Sequence, residues 1–136
     1  MLKTPFELLA VGERSMGLPP GSLTWRGPFD PDSDPDWRTF QAGEMTEREY
    51  WARRCAEFHD LTGEPPEMPV FMRHLYDGSE DEIVRPGAVA LIREAKAAGI
   101  PVGALTNDLT AFHDQTWIDR IGVIREFDQK IGRAHV

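Results

Sequence analysis

The sequence is poor in cysteine and in basic residues, and it contains no long apolar run. Cys55 is the single cysteine among 136 residues, so an intramolecular disulfide is excluded, which is consistent with a reducing cytoplasm. Fifteen lysines and arginines are outnumbered by 23 acidic residues, and the net charge of -8 disfavours nucleic acids and anionic membranes as partners. No stretch approaches the ~20 apolar residues of a membrane-spanning helix. We therefore expect a cytoplasmic protein without a nucleic-acid or membrane partner.

Several patterns that mark metal or nucleophile sites are missing as well. Four alternating aspartates resemble calcium ligands, but Pro35 and Gln41 stand where a calcium loop needs glycine and glutamate, so a solvated acidic loop is the better interpretation. No histidine pair has the spacing of zinc ligands, and no serine lies in a glycine-flanked nucleophile elbow. Cys55 lies on the apolar stripe of its helix and is predicted to be a core residue. The aspartates are Asp30, Asp32, Asp34 and Asp36.

Loops rich in proline and glycine divide the first half of the chain into helical segments. Thr46 and Glu49 have the spacing of a capping box, and apolar residues recur after them at helical spacing, which predicts a helix over Thr46–Leu61. Further helices are predicted over Pro5–Met16, Trp37–Ala42 and Met68–Tyr76. Residues 4–80 are therefore expected to be all-helical.

The second half has a helix-then-strand pattern. Pro86–Ala98 is rich in alanine, with proline at its start and glycine just past its end, as expected for a helix. The short apolar run Val102–Leu105 fits a buried parallel strand. A helix over Ala111–Ile118 and a lead into a second strand at Val123–Phe127 follow. Residues 83–130 are expected to form part of a parallel α/β core.

Thr106 and Asn107 come directly after the predicted strand. Ligands of parallel α/β sheets bind at the carboxyl ends of the strands. The start of the following helix offers free N–H groups to an anion, and Thr106 adds a hydroxyl donor. This turn is a candidate phosphate-binding corner. The alternative is that Thr106 only ends a strand and Asp108 only caps a helix.

Two sets of short motifs follow one another along the chain. They are Pro5–Glu7, Gly17–Gly21 and Gly43–Thr46 in the first half, and Arg85–Gly87, Ala97–Val102 and Leu105–Asp108 in the second. In this order they resemble the haloacid dehalogenase superfamily of hydrolases, and the first set resembles the helical cap of members related to the phosphatase domain of epoxide hydrolases. The resemblance covers nearly all of Leu2–Gln129. It implies an α/β fold class, with a partial Rossmann-like core carrying a parallel sheet fragment and an all-helical cap.

The resemblance also implies a function. Most members are phosphatases, so we expect a Mg²⁺-dependent hydrolase of a small phosphorylated molecule that works through an aspartyl-phosphate. Thr106 would bind the transferring phosphoryl group, and Asn107 would orient the substrate. Trp25, Trp37 and Arg38 lie in or beside a cap loop and would face the substrate, although packing of the tryptophans and a surface ion pair of the arginine are the better interpretation. A 2-haloacid dehalogenase-type hydrolase and a non-catalytic binding or interaction module stay open as alternatives.

The chain departs from the family pattern at both ends. No Asp-x-Asp motif precedes the predicted cap, and Lys130 comes too early to be the lysine of the third motif. The acidic metal-binding motif beyond it is missing, and Ile131–Val136 resembles a translated sequencing adapter. We therefore expect a truncated copy without phosphatase activity and without an assignable Mg²⁺ site. We also expect low stability, because the helix Pro86–Ala98 would lack partner strands.

Overall fold

The computed structural model describes residues 1–106 and 109–132. The chain divides into a helical unit, Thr4–Asp77, and a C-terminal unit that joins Met1–Lys3 to the described residues from Gly78 onward. The assignment of these parts as the cap and the core of a hydrolase stays a prediction. The elements are α1 (Leu9–Met16), α2 (Pro35–Gln41), α3 (Glu47–Thr62), α4 (Met68–Leu75), α5 (Glu80–Ile83), α6 (Pro86–Ala97), β1 (Gly103–Thr106), α7 (Leu109–Phe112), α8 (Gln115–Arg120) and β2 (Gln129–Gly132).

Local sequence signals set the ends of the helices in the helical unit. The hydroxyl of Thr46 accepts a hydrogen bond from the N–H of Glu49 at 3.1 Å, and the Glu49 carboxylate accepts from the N–H of Thr46 at 2.8 Å. This capping box begins α3 where the sequence predicts it. Gly63 ends α3 with a φ of 74°, a left-handed conformation that glycine adopts without strain. The helices predicted for the first half are confirmed, and the one predicted from Pro5 begins with a short 3-10 turn.

Helices α1 and α4 pack against each other in the core of the helical unit. A Cβ atom added to Gly12 would lie 2.5 Å from Cδ2 of Leu75, so a larger residue at this position would force the buried Leu75 side chain to move. Leu75, Phe58 and Phe71 are fully buried, and the two phenylalanine rings stack with their centroids 4.9 Å apart. The helical unit therefore has a closed apolar core.

The first residues of the chain belong to the C-terminal unit. Leu2 forms an isolated antiparallel bridge with Val84, and the N–H of Lys3 donates to the carbonyl of Ile83 at 2.8 Å. The apolar side chains that this unit buries come from α5, from α8, from the residues that directly follow these two helices and from the 3-10 helix after α8. They are Ile83, Val84, Trp117, Ile118, Ile121, Val123 and Ile124.

The sheet is much smaller than the sequence predicts. Strands β1 and β2 pair in parallel, with Gly103 opposite Gln129 and Thr106 opposite Gly132. This four-residue pair is all the sheet in the part of the chain that the structure describes, and the chain is mostly helical. The predicted α/β fold class, with a partial Rossmann-like core built on a parallel sheet, is therefore wrong.

The predicted burial of the first strand is also wrong, because the side chain of Leu105 is 81% exposed. A parallel strand becomes buried when helices cover both faces of its sheet. Here β1 has one described partner strand, and α6 buries none of its own residues. An apolar run between turn residues therefore predicts a strand, but it does not predict whether other elements bury that strand.

Two elements near the end of the chain also differ from prediction. The single helix predicted over Ala111–Ile118 is divided into α7 and α8, because the Asp114 carboxylate accepts from the N–H of Trp117 at 2.8 Å and caps a new helix. The residues Val123–Phe127, predicted to lead into a strand, fall largely in a 3-10 helix over Gly122–Glu126. The second strand begins only at Gln129.

Candidate functional site

The predicted phosphate corner lies at the carboxyl end of the parallel pair. Just before the two strands begin, Val102 and Asp128 are joined by two hydrogen bonds. The N–H of Asp128 donates to the carbonyl of Val102 at 2.8 Å, and the Asp128 carboxylate accepts from the N–H of Val102 at the same distance. Four residue pairs later, Thr106 lies beside Gly132 where both strands end.

Two basic side chains of α6 bind the segment that leads into β2. Nε of Arg93 donates to a carboxylate oxygen of Glu126 at 3.0 Å, and Nζ of Lys96 donates to the Glu126 carbonyl at 2.5 Å. Nζ of Lys96 also lies 3.9 Å from the Asp128 carboxylate. Because the side chain of Arg93 is 67% exposed, its ion pair contributes at most about 1 kcal/mol. These contacts link α6 to the segment before β2 and add little to the stability of the unit.

The structure describes only part of the predicted corner. Thr106 is half-buried at the end of β1, whereas Asn107 and Asp108 lie outside the described residues. The helix that follows, α7, is four residues long instead of the longer helix predicted there. A helix of one turn has a small dipole and offers little to an anion. Binding of a phosphoryl group by Thr106, and substrate orientation by Asn107, stay predictions.

The three residues predicted to face a substrate all lie in the helical unit. Trp25 is 2% exposed and packs edge-on against Phe6, with ring centroids 5.6 Å apart. Trp37 is half-buried and packs edge-on against Phe6 at 5.3 Å, whereas Arg38 is exposed and pairs with Asp32. The indole N–H groups of Trp25 and Trp37 are buried and have no acceptor among the described residues. The structure thus brings both tryptophans to one aromatic cluster, and their contact with a substrate stays a prediction.

Asp34, one of the four aspartates of the acidic loop, is buried, although the sequence predicted it to be solvated. Its side chain is fully buried and accepts hydrogen bonds from the Tyr50 hydroxyl at 2.5 Å, the Trp37 N–H at 3.0 Å and Nη2 of Arg54 at 3.2 Å. The interpretation of this segment as a solvated acidic loop is therefore wrong for Asp34, which caps α2. Burial and the hydrogen bond to Asp34 raise the pKa of Tyr50, so its hydroxyl stays protonated and donates.

A hydrogen-bonded chain of side chains in the helical unit was not found by sequence reasoning. Oγ of Ser15 lies 2.8 Å from Nδ1 of His74, and Nε2 of His74 lies 2.6 Å from Oε2 of Glu64. The Ser15 hydroxyl also lies within donating distance of the Asp77 carboxylate, at 2.9 Å. Ser15 and His74 are 59 positions apart in the sequence, so no local motif joins them. Packing of α1 against α4 brings them together.

Two other candidate nucleophiles or bases prove to be packed in the interior. Cys55 is 4% exposed, and burial raises the pKa of its thiol to about 11, which keeps it protonated and unreactive. The prediction that it is a core residue is confirmed. The His113 ring stacks on Trp117 with centroids 3.9 Å apart, and burial lowers the pKa of His113 to about 4. The structure therefore shows His113 packed against Trp117 in the interior of the C-terminal unit.

Among the described residues, two kinds of feature are not found. None of the helices there combines the length and the apolar character needed to cross a membrane. No group of three or more histidine, cysteine, aspartate or glutamate side chains there could hold a metal ion.

Comparison with known proteins gives no relative: no protein-family model, no curated protein and no solved structure matches the chain.

Proposed function

We propose that the chain is part of a cytoplasmic hydrolase that acts on small phosphorylated molecules, with Thr106 as a contact to the phosphoryl group. The order of motifs along the sequence, which resembles haloacid dehalogenase-like phosphatases, carries this proposal. The position of Thr106 supports it, because this half-buried residue lies at the carboxyl end of a parallel pair, the end of a parallel sheet at which ligands bind. The substrate is a small molecule with a phosphate ester, and the reaction is its hydrolysis.

In this proposal the chain binds and orients the phosphoryl group. The hydroxyl of Thr106 donates a hydrogen bond to a phosphoryl oxygen, which stabilises negative charge as the group is transferred. The family's attacking aspartate has no counterpart that we can assign in this sequence. No group of acidic side chains among the described residues could hold Mg²⁺. We expect the 136-residue chain to bind phosphate weakly and to hydrolyse no phosphate ester.

Titration with inorganic phosphate, followed by NMR, tests the contact directly. We expect the amide and methyl signals of Thr106 to shift on titration and the Thr106→Val variant to lose this response. Thr116→Val is the matched control, because Thr116 is an exposed threonine of α8 in the same unit and should leave binding unchanged. An equal response in Thr106→Val would contradict the proposal. A response to 2-chloropropionate in place of phosphate would favour the dehalogenase alternative.

Turnover gives a second, independent check. Purified chain should not release p-nitrophenol from p-nitrophenyl phosphate, with or without Mg²⁺. Mg²⁺-dependent release at a rate that Thr106→Val reduces would show that the chain carries its own nucleophile. That result would support the hydrolase and overturn our expectation that this chain lacks phosphatase activity.

A further inference from the structure

The side chains of Ser15, His74 and Glu64 are hydrogen-bonded in series, in the arrangement of an activated serine. A serine nucleophile needs a base within hydrogen-bonding distance, and the base needs a third group that orients it. Here Oγ of Ser15 is 2.8 Å from one ring nitrogen of His74, and the other ring nitrogen is 2.6 Å from the Glu64 carboxylate. Both distances are within hydrogen-bonding range, and all three residues belong to the helical unit.

The Glu64 carboxylate decides which ring nitrogen carries the proton. A carboxylate only accepts, so neutral His74 places its single N–H on Nε2, toward Glu64. Nδ1 then has a free lone pair facing the Ser15 hydroxyl and can take its proton. As Ser15 loses that proton, the positive charge that forms on His74 lies beside the negative Glu64. This is the electrostatic arrangement that makes histidine an effective general base for serine.

The fold holds these side chains in place. Ser15 is in the last turn of α1, and His74 is in the last turn of α4. The close approach of Gly12 to Leu75, the residue after His74, fixes the distance between the two helices. The His74 ring also packs on Phe58, with centroids 5.6 Å apart.

The cluster is nevertheless accessible. The side chain of His74 is 20% exposed and that of Glu64 is 42% exposed, and Ser15 is half-buried. A small molecule can therefore reach the hydroxyl from solvent.

Asp77 lies beside the nucleophile and sets the charge that a substrate can carry. The Ser15 hydroxyl has one hydrogen and two acceptors, Nδ1 of His74 and the Asp77 carboxylate at 2.9 Å. Asp77 is exposed, and its negative charge repels an anionic substrate at the Ser15 hydroxyl. A neutral or cationic ester avoids that repulsion. This site therefore differs in substrate class from the phosphate site proposed at Thr106, and neither proposal depends on the other.

We propose that Ser15 is a nucleophile toward activated, neutral or cationic carboxylic esters, with His74 as its general base and Glu64 as the positioning carboxylate. Oγ of Ser15 forms a bond to the acyl carbon while its proton passes to Nδ1 of His74. The bond from the acyl carbon to the leaving oxygen breaks, and the leaving alcohol takes the proton from His74. Water then cleaves the acyl-serine ester, which releases the carboxylic acid and restores the Ser15 hydroxyl.

The backbone around Ser15 predicts that turnover is slow. The nearest N–H groups after α1 are already bonded, since Gly17 donates to the Arg14 carbonyl at 3.3 Å and Leu18 donates to that of Glu13 at 2.9 Å. They are not free to stabilise an oxyanion, and loss of one such donor typically costs about 10²–10³ in rate. We therefore expect a covalent acyl adduct to accumulate in place of rapid hydrolysis.

Acylation by p-nitrophenyl acetate, a neutral ester, tests the proposal. Mass spectrometry should find one acetyl group on Ser15 in the wild type and in Ser22→Ala, the control, whose native hydroxyl donates to the Pro19 carbonyl. Ser15→Ala should lose the adduct. His74→Gln should slow acylation by roughly 10²-fold or more and remove its rise with pH, and Glu64→Gln should slow it less. Ser15→Cys should restore the adduct, now as a thioester.

Acetylation confined to lysines or to His74, or an adduct on Ser15 that forms equally fast in His74→Gln, overturns the proposal. Absence of an adduct in correctly folded wild-type protein overturns it as well, and leaves the cluster as a structural network. An ester with a carboxylate on its acyl chain should react more slowly than p-nitrophenyl acetate, and Asp77→Asn should reduce that difference. Thr106→Val should change none of these rates.

Discussion

The two units of this chain differ in what their apolar side chains contact. In the helical unit, Phe58, Phe71 and Leu75 are fully buried in a closed core. In the C-terminal unit, Leu105 is 81% exposed and Leu91 is 66% exposed, although both stand in apolar runs of the sequence. Apolar periodicity therefore identifies a helix or strand, but it identifies the burial of that element only where a second element covers it.

Truncation of one buried and one exposed leucine should show the largest effect of this difference. Leu75→Ala should destabilise the helical unit by about 2–5 kcal/mol, because it removes buried methyl groups and leaves a cavity against Gly12. Leu105→Ala should change stability by no more than about 0.5 kcal/mol. Chemical denaturation, with hydrogen exchange reporting on each unit, measures both variants. Equal losses would show that Leu105 is covered in solution, and the comparison would fail.

The pH dependence of stability tests whether the C-terminal unit buries the side chain of His113. Burial lowers the pKa of His113 to about 4, below its usual value of about 6.5. The unfolded chain therefore binds the proton more tightly, so this contribution is fully present above pH ~6.5 and is lost as the pH falls toward 4. We expect a loss of at most about 3 kcal/mol over that range.

The variant His113→Phe keeps an aromatic ring beside Trp117 and cannot titrate. Denaturation of this variant at several pH values should give a flatter stability profile between pH ~4 and ~6.5 than the wild type. His59→Gln, which replaces an exposed histidine of α3 in the other unit, is the control for the loss of one histidine from the chain. A profile unchanged in His113→Phe would show that His113 is hydrated in solution.

Two glycines give the smallest effects, and these should have opposite signs. Gly12→Ala places a methyl group against the buried Leu75 and should destabilise the helical unit by about 1–3 kcal/mol. Gly87→Ala, in the first turn of α6, meets no atom within 4 Å and should stabilise the C-terminal unit by up to about 1 kcal/mol. Thermal or chemical denaturation of the two variants measures both changes. A stabilising Gly12→Ala would mean that α1 and α4 lie further apart than the structure shows.

Much of the local structure could be predicted because its causes lie within a few residues. The capping box of Thr46 and Glu49 is three positions wide, and Gly63 ends the same helix through its own backbone conformation. Prediction failed where a local signal had two outcomes. Asp114 divides the helix predicted over Ala111–Ile118, since a carboxylate three positions before a backbone N–H caps a new helix as readily as it lies on the surface of a longer one.

The candidate sites also differ in whether local sequence signals could reveal them. Thr106 could be named from the sequence because a strand end and a turn are local features, and the structure places it at the end of β1. The Ser15–His74 pair could not, because 59 residues separate its members and the serine lies in an ordinary helical segment. Burial of Asp34 was missed for the same reason, since Tyr50 and Arg54, which bind it, come from another helix.

Sequence patterns were enough to place the helices of the helical unit to within about two residues and the short strand near Thr106 to within one, and to exclude an intramolecular disulfide. Only the tertiary structure decided how little sheet the described chain contains, that Leu105 is exposed and that Ser15 meets His74. The two groups of features differ in how far apart in the sequence the interacting residues lie. Caps, turns and periodicity act between residues a few positions apart, whereas burial and side-chain constellations depend on which elements pack together.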